Sequence, residues 1–223
     1  MIAYCRVMPS DLPEPLATSW RPLGTRTGQM NVLVLSITAE TTLYEPVEPA
    51  VRGTTVGASE IPVRSLFTVD LSFSPPLPNV GIPPSSVFSQ AAPKAKRQFV
   101  NTIEDEGLVI DGTRTTLEFE ATNGESGIWY VLDVGYPVDP DLLGTEIGPI
   151  DAEVHVAVWP TETSYGMAGG TVPLESVADV VGETELAAAD LPADIEVAPD
   201  CDRETIAELV RTIDLESDDE TAG

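Results

Sequence analysis

The sequence predicts an α+β fold in which a largely antiparallel sheet of five to six strands is covered by a long helix and a C-terminal helix. Three segments between residues 113 and 159 alternate apolar and polar side chains with the period of two that a strand requires. Residues 86–106 instead repeat apolar side chains every three or four positions, as a helix does. The strands follow one another without regular alternation with helices, which favours antiparallel pairing.

The first two alternating segments predict a hairpin. Leu117, Phe119 and Ala121 share one face of the first segment, and the Asn123-Gly124 step tolerates the positive φ of a tight turn. Apolar residues then recur at alternate positions of the second segment, namely Ile128, Tyr130, Leu132, Val134 and Tyr136. This alternation predicts that one face of the sheet is exposed to water.

The third alternating segment adds a further strand to the hairpin. One of its faces carries Ala152, Val154, Val156 and Val158, and the other carries Glu153, His155, Ala157 and Trp159. Residues 160–170 are rich in glycine and predict a loop, with a short edge strand at Thr171–Leu174.

Two strands are predicted before the long helix. Residues 30–44 are apolar and β-branched, which favours a central strand that includes Leu33. Residues 63–73 alternate to give the second strand, which ends at Pro75. Residues 8–29 are polar with several prolines and glycines, so they predict an extended segment anchored by Trp20.

The long helix is predicted over 86–106, with Ser85 or Ser86 as its N-cap and Gly107 at its C-terminal end. Pro93 should kink this helix or mark the first turn of a shorter helix that begins near Ala91. The apolar stripe predicts that the helix packs on the sheet.

These elements divide the chain into four regions. Residues 1–29 form an extended N-terminal segment, 30–174 an α+β core domain, 175–215 an acidic segment with a C-terminal helix, and 216–223 a disordered tail. Asp202 is predicted to cap that helix. Four apolar residues follow at helical spacing and predict docking on the core, namely Ile206, Leu209, Val210 and Ile213.

The charge is strongly acidic: 37 acidic and 11 basic side chains give a net charge of −26. Only Lys94 and Lys96 are lysines. This composition resembles that of haloarchaeal proteins, which implies a cytoplasm of molar KCl, where a Debye length of about 3 Å screens self-repulsion. An alternative is that the acidic residues bind a basic partner or mimic nucleic acid. Their spread along the chain favours salt adaptation, and the scarcity of basic residues argues against nucleic-acid binding.

Cysteine and histidine are too few for a metal site or a disulfide framework. Cys5 and Cys201 are predicted to be free thiols, with a bridge between them as the alternative, and no cofactor is expected. No segment approaches the roughly 20 apolar residues of a membrane span, so a cytoplasmic location is expected. An exported lipoprotein with a clipped start is the alternative, and Met8 could equally be the initiating residue.

Two groups of residues are candidate binding sites. Lys94, Lys96 and Arg97 concentrate positive charge at the front of the long helix, where they could pair with the acidic tail or contact an acidic partner or anionic ligand. His155 is the only histidine and could act as a general base oriented by Glu153. Residues two apart on a strand lie about 7 Å apart, however, which predicts that direct pairing is strained.

In element order and size, residues 15–215 resemble the Mog1/PsbP-type sandwiches, and the resemblance implies an adaptor or accessory role. The sequence therefore favours a non-enzymatic binding or accessory module that contacts a protein partner through the long helix or the C-terminal helix. The alternative is an enzyme or small-ligand carrier whose pocket is lined by His155, Trp159 and Tyr165. No catalytic residue is assigned, and the oligomeric state is left open.

Overall fold

The computed structural model describes residues 12–14, 16–32, 35–48, 59–138, 148–181 and 197–215. Within these ranges it contains four α-helices: α1 (Leu16–Ser19), α2 (Pro84–Asp105), α3 (Val177–Val181) and α4 (Pro199–Thr212). A short 3-10 helix covers Leu77–Val80. The strands are β1 (Trp20–Val32), β2 (Leu35–Pro46), β3 (Ser65–Ser74), β4 (Val109–Glu120), β5 (Ser126–Tyr136), β6 (Ile150–Pro160) and β7 (Tyr165–Pro173).

All seven strands form one sheet in the order β1-β2-β3-β7-β6-β5-β4, and every neighbouring pair is antiparallel. The predicted α+β class and antiparallel sheet are confirmed. The predicted count of five to six strands is wrong, because the sheet has seven.

The strand that sequence reasoning missed is β1. Residues 20–29, predicted as part of an extended segment, pair with β2, and Val32 opposite Leu35 closes a hairpin where one long strand was predicted. Leu33 lies outside the described residues. β1 is an exposed edge strand, so both of its faces are largely polar and its sequence lacks the alternation that marks a half-buried strand. Arg26 of β1 forms ion pairs with Glu60 and Glu106, which tie this edge to the end of α2.

The predicted glycine-rich loop is largely a buried strand. β7 lies between β3 and β6 and is buried along its whole length, so the prediction of a short edge strand after a loop is wrong. The glycines permit close packing here. A Cβ atom on Gly169 would lie 1.9 Å from the carbonyl oxygen of His155 on β6.

Both faces of the central strands are covered, giving three layers. The face toward α2, called the α2 face, buries the valines of β6 with Phe67, Phe88, Ile103 and Leu132. The opposite face, called the α4 face, packs Ala157, Trp159, Ala168 and Val172 against α4 and against Leu12 and Leu16. The prediction of one water-exposed face is therefore wrong for β6 and β7.

The predicted long helix is present as α2. It begins at Pro84, with Pro83 and not Ser85 or Ser86 at the N-cap, and it continues through Pro93. Pro93 is exposed, so water can satisfy the carbonyl that its missing N–H leaves unpaired. Gly107 adopts a φ of 98° just after the helix, as predicted for its C-terminal end.

The C-terminal helix α4 packs on β7 through Ile206, Leu209 and Val210. Asp202 does not cap it, because Ala198 is the N-cap and Asp202 lies inside the first turns. Its carboxylate instead forms an ion pair of 2.9 Å with Arg64, whose side chain is 2% exposed. The buried pair fixes α4 to the start of β3.

Candidate functional site

The buried polar centre of the molecule is the pair Glu153 and His155, both on the α4 face of β6. Their side chains are 3% and 8% exposed, and Nε2 of His155 donates to Oε2 of Glu153 at 3.1 Å. The prediction that direct pairing is strained is therefore wrong. Trp129 of β5 donates its Nε1–H to Nδ1 of His155 at 3.2 Å, which assigns the proton of the neutral ring to Nε2.

Two arginines from distant parts of the chain hold the Glu153 carboxylate. Arg203 of α4 donates to both of its oxygens, at 2.9 and 3.0 Å, and Arg114 of β4 donates to Oε1. Each arginine also pairs with a second acid, Arg203 with Asp200 at 2.9 Å and Arg114 with Asp133 at 2.6 Å. The network joins β4, β5, β6 and α4.

The network fixes the charge state of both central groups. Burial alone would raise the pKa of Glu153, but hydrogen bonds and charges from Arg203 and His155 lower that pKa to about 2. Burial lowers the pKa of His155; Glu153 opposes this change, and the charges of Arg203 and Arg114 reinforce it. At neutral pH the carboxylate is ionised and the imidazole is neutral.

A neutral imidazole in this setting is poorly suited to general-base chemistry. Its basic nitrogen, Nδ1, already accepts a hydrogen bond from Trp129, and its Nε2–H donates a hydrogen bond to Glu153. To accept a substrate proton, His155 would have to release the indole. The arrangement orients Trp129 and holds α4 on the sheet.

Beside this network lies an open groove of about 430 Å³ between α4 and the β4–β5 hairpin. Its floor is formed by Trp129, Val131 and His155, and its walls by residues 117–120 of β4 and by Arg203, Ala207 and Arg211 of α4. Leu117 is 53% exposed. Among the described residues, no carboxylate lies within 4 Å of the Arg211 guanidinium.

The three residues predicted to line one pocket are not brought together. Trp159 lies on the same face as His155 but is buried, with its ring 6.1 Å from that of Phe119. Tyr165 lies on the opposite, α2 face, where its hydroxyl donates to the carbonyl of Pro84 at 3.1 Å. The groove therefore contains His155 without Trp159 or Tyr165.

The basic group Lys94, Lys96 and Arg97 lies near the middle of α2 and not at its front, because the helix begins at Pro84. Lys96 Nζ donates to Thr113 Oγ1 at 2.5 Å and lies 5.1 Å from the Tyr130 ring centre. No described carboxylate is within 4 Å of the three cations. The acidic tail with which they were predicted to pair begins at Glu175, and the structure describes it only over 175–181 and 197–215.

Other sequence predictions fall partly within the described ranges. Cys201 is exposed and unbridged, whereas Cys5 lies outside the described part of the chain. Within that part, no group of three or more His, Cys, Asp or Glu side chains is placed to hold a metal ion. None of its helices is long and apolar enough to cross a membrane.

Sequence reasoning missed Trp129, Arg114 and Arg203. A signal for Trp129 was present, since Trp129 and Val131 add apolar side chains to the second face of β5 and so indicate that this face is also covered. The two arginines gave no such signal, because each reaches Glu153 from another part of the chain, 39 and 50 residues away.

Comparison with solved structures finds no match, and the resemblance to Mog1/PsbP-type sandwiches stays a prediction. A protein family described as a domain of unknown function, DUF6517, matches residues 25–214. The match begins inside β1 and ends just after α4, so it covers the remainder of the sheet, α2 and the residues of the groove. The chain therefore belongs to the DUF6517 family.

Proposed function

We propose that this protein is a salt-adapted, non-enzymatic binding or accessory module whose contact surface is the groove between α4 and the β4–β5 hairpin. One observation carries the proposal: the only histidine is held by hydrogen bonds at both ring nitrogens, while the apolar residues beside it face an open groove. The polar centre thus has a structural role, and the groove is the accessible surface beside it.

The composition of the groove suits a binding surface. Leu117 is exposed, and Phe119 and Trp129 meet edge to face with their ring centres 6.1 Å apart. Exposed apolar side chains next to aromatic residues and arginine are typical of protein contact sites. Because His155 holds the indole of Trp129 in place, little side-chain entropy would be lost on binding.

The acidic composition supports the salt-adapted part of the proposal. A net charge of −26 on 223 residues produces self-repulsion that molar KCl would screen. The expected location is a high-salt cytoplasm. The described carboxylate pairs are made by arginine or by His155 and none by lysine, in keeping with the near absence of lysine.

A small-ligand carrier is the second candidate function. The groove volume of about 430 Å³ lies within the range of small-molecule sites, and Arg211, which has no carboxylate of the described residues within 4 Å, supplies a cation for an anionic ligand. In this alternative the groove residues His155 and Trp129 would line the site.

Site-specific photo-crosslinking tests the proposal. A photoreactive phenylalanine analogue is placed at Leu117 in the groove, at Lys94 on the basic group of α2, or at Glu162 as an exposed control outside both surfaces. The host cells are then irradiated, and the protein is purified in molar KCl. We expect an adduct with one recurring protein at Leu117 and none at Glu162.

The other outcomes separate the alternatives. An adduct at Lys94 alone would move the contact surface to α2 and overturn the groove proposal. Absence of protein adducts at both positions, with a small molecule that copurifies and is lost in an Arg211→Gln variant, would favour the carrier.

A further inference from the structure

The groove is bounded by a sheet edge that is open to pairing. β4 is the last strand of the sheet and, among the described strands, pairs with β5 alone. Register shifts between Ile110 and Gly112 and between Thr113 and Thr115 disrupt its first half. From Thr115 to Glu120 the pairing with β5 is regular, so this half presents an ordered row of backbone groups on its free side.

The two faces of this edge have opposite chemistry. All four residues 117–120 line the groove. The side chains of Leu117 and Phe119 lie on the α4 face, whereas those of Glu118 and Glu120 alternate with them onto the other face and are exposed. Within the described structure neither glutamate forms an ion pair. A strand that pairs with this edge would place its side chains directly opposite those of β4. On one face they would meet Leu117 and Phe119, and on the other face they would meet the two carboxylates.

Charge selects the occupant. Lysine or arginine opposite Glu118 and Glu120 gives favourable cross-strand pairs, and aliphatic or aromatic residues extend the contact with Leu117 and Phe119. A second copy of this chain paired through the same edge would bring glutamates against glutamates, and the net charge of −26 adds to that repulsion. The charge of this edge therefore favours a basic partner over a second copy of the same chain.

We propose that residues 115–120 of β4 accept, by antiparallel strand addition, an extended segment of a partner protein in which basic and apolar residues alternate. The inference rests on the proposed function, since it assigns a partner class to the groove. Main-chain hydrogen bonds supply affinity, and the alternating side chains supply selectivity. Molar salt weakens the long-range attraction and leaves the main-chain and apolar contacts.

Three synthetic hexapeptides serve as probes: Lys-Val-Lys-Leu-Lys-Val, the same peptide with glutamate in place of lysine, and the lysine peptide with proline in place of its central lysine. Binding is measured by fluorescence anisotropy in dilute and in molar KCl, with hydrogen exchange as a second readout. We expect the lysine peptide alone to bind and to slow amide exchange within residues 115–120. The Ala121 N–H donates to the Glu125 carbonyl at 2.9 Å, so Leu117 and Phe119 direct their main-chain groups to β5, and Glu118 and Glu120 direct theirs to the free side. Proline opposite one of these glutamates should abolish binding, because it removes a main-chain donor to β4.

A charge-reversed variant makes the test specific. In Glu118→Lys/Glu120→Lys the preference should move by about tenfold toward the glutamate peptide, because two attractive pairs become repulsive. The control Glu104→Lys/Asp105→Lys makes the same change in net charge at the exposed end of α2 and should leave the preference for the lysine peptide unchanged.

Several results would overturn the inference. These are equal binding of the lysine and glutamate peptides, binding of the proline peptide, a shift in the control equal to that in the variant, or a concentration-dependent dimer that Glu118→Lys/Glu120→Lys alters. If no peptide binds but Leu117 still crosslinks to a partner, strand addition fails and the proposed function stands. If both fail, both are wrong.

Discussion

Glu153 and His155, two positions apart on β6, are joined by a 3.1 Å hydrogen bond from Nε2 to Oε2, and the same carboxylate is held by arginines from β4 and α4. One buried acid thus connects the edge of the sheet to the helix that covers its α4 face. Three of the following predictions depend on this relationship.

Replacing Glu153 should lower the unfolding free energy of the protein. Glu153→Gln removes a carboxylate that is 3% exposed and accepts hydrogen bonds from Arg203 and Arg114, which are 36% and 46% exposed. Because the arginines left behind reach water, we expect a loss of about 2 kcal/mol of unfolding free energy. Asp133→Asn is the matched control, because it removes an ion pair of Arg114 at a side chain that is 36% exposed and should cost under about 1 kcal/mol. Urea denaturation in molar KCl measures both. Equal losses would show that Glu153 has no special role.

The titration of His155 can be followed directly, since it is the only histidine and gives a single imidazole signal in NMR. Burial lowers its pKa, so the midpoint should lie below the ordinary value of 6.5. Trp129→Phe removes the donor that stabilises the neutral ring and should raise the pKa, whereas Glu153→Gln removes the anion that favours the charged ring and should lower it. Shifts of the opposite sign would contradict the hydrogen-bond assignment.

The stability of the protein should fall in acid partly through Glu153. Its pKa is about 2 in the fold against an ordinary value of 4.5, so the folded state holds its proton less readily than the unfolded state. The stabilisation is fully present above pH 4.5 and is lost as the pH falls from there toward 2. The unfolding free energy of Glu153→Gln should therefore depend less steeply on pH across that window. An unchanged slope would exclude Glu153 as the source.

The buried strand β7 should not tolerate a side chain at its centre. Gly169→Ala would place a Cβ atom 1.9 Å from the His155 carbonyl oxygen, and overpacking of this kind costs about 3 kcal/mol or prevents folding. Gly28→Ala on the edge strand β1 has no atom within 4 Å of its new Cβ and is the control. Thermal denaturation by circular dichroism compares the two, and a tolerated Gly169→Ala would argue against this packing.

Salt should stabilise the fold. The net charge of −26 makes dilute buffer unfavourable for the compact state, and a rise to molar KCl should raise Tm progressively. Sodium sulfate stabilises most proteins by exclusion from their surfaces. It is therefore measured beside KCl at equal ionic strength, as the reference for that general salt effect. A Tm independent of KCl would remove the main support for salt adaptation.

The sequence predicted those elements whose side chains obey a clear period. The strands β3, β5 and β6 and the helix α2 follow from alternation or from helical spacing, because each has a face that is buried along most of its length. β1 was not predicted, because an exposed edge strand needs no apolar face. β7 was predicted largely as a loop, because its close approach to β6 requires glycines, and glycines also mark loops.

The candidate site was predicted only in part. His155 was identified from its chemistry and Glu153 from its position on the same face, but their pairing depends on side-chain orientation that spacing does not specify. Arg114, Arg203 and Trp129 reach them across the sheet and from α4, and contacts between distant segments leave no local pattern in a single sequence.

The two faces of the sheet become complete at different times during synthesis. The buried side chains of the α2 face all lie between Val63 and Met167, whereas the α4 face needs Ile206, Leu209 and Val210 near the end of the described chain. Since a chain emerges from the ribosome N-terminus first, all the buried residues of the α2 face are synthesised before the α4 residues that cover Trp159 and its neighbours. The apolar residues of the α4 face can therefore be covered only after α4 has been synthesised, and the Glu153–Arg203 contact can form only then.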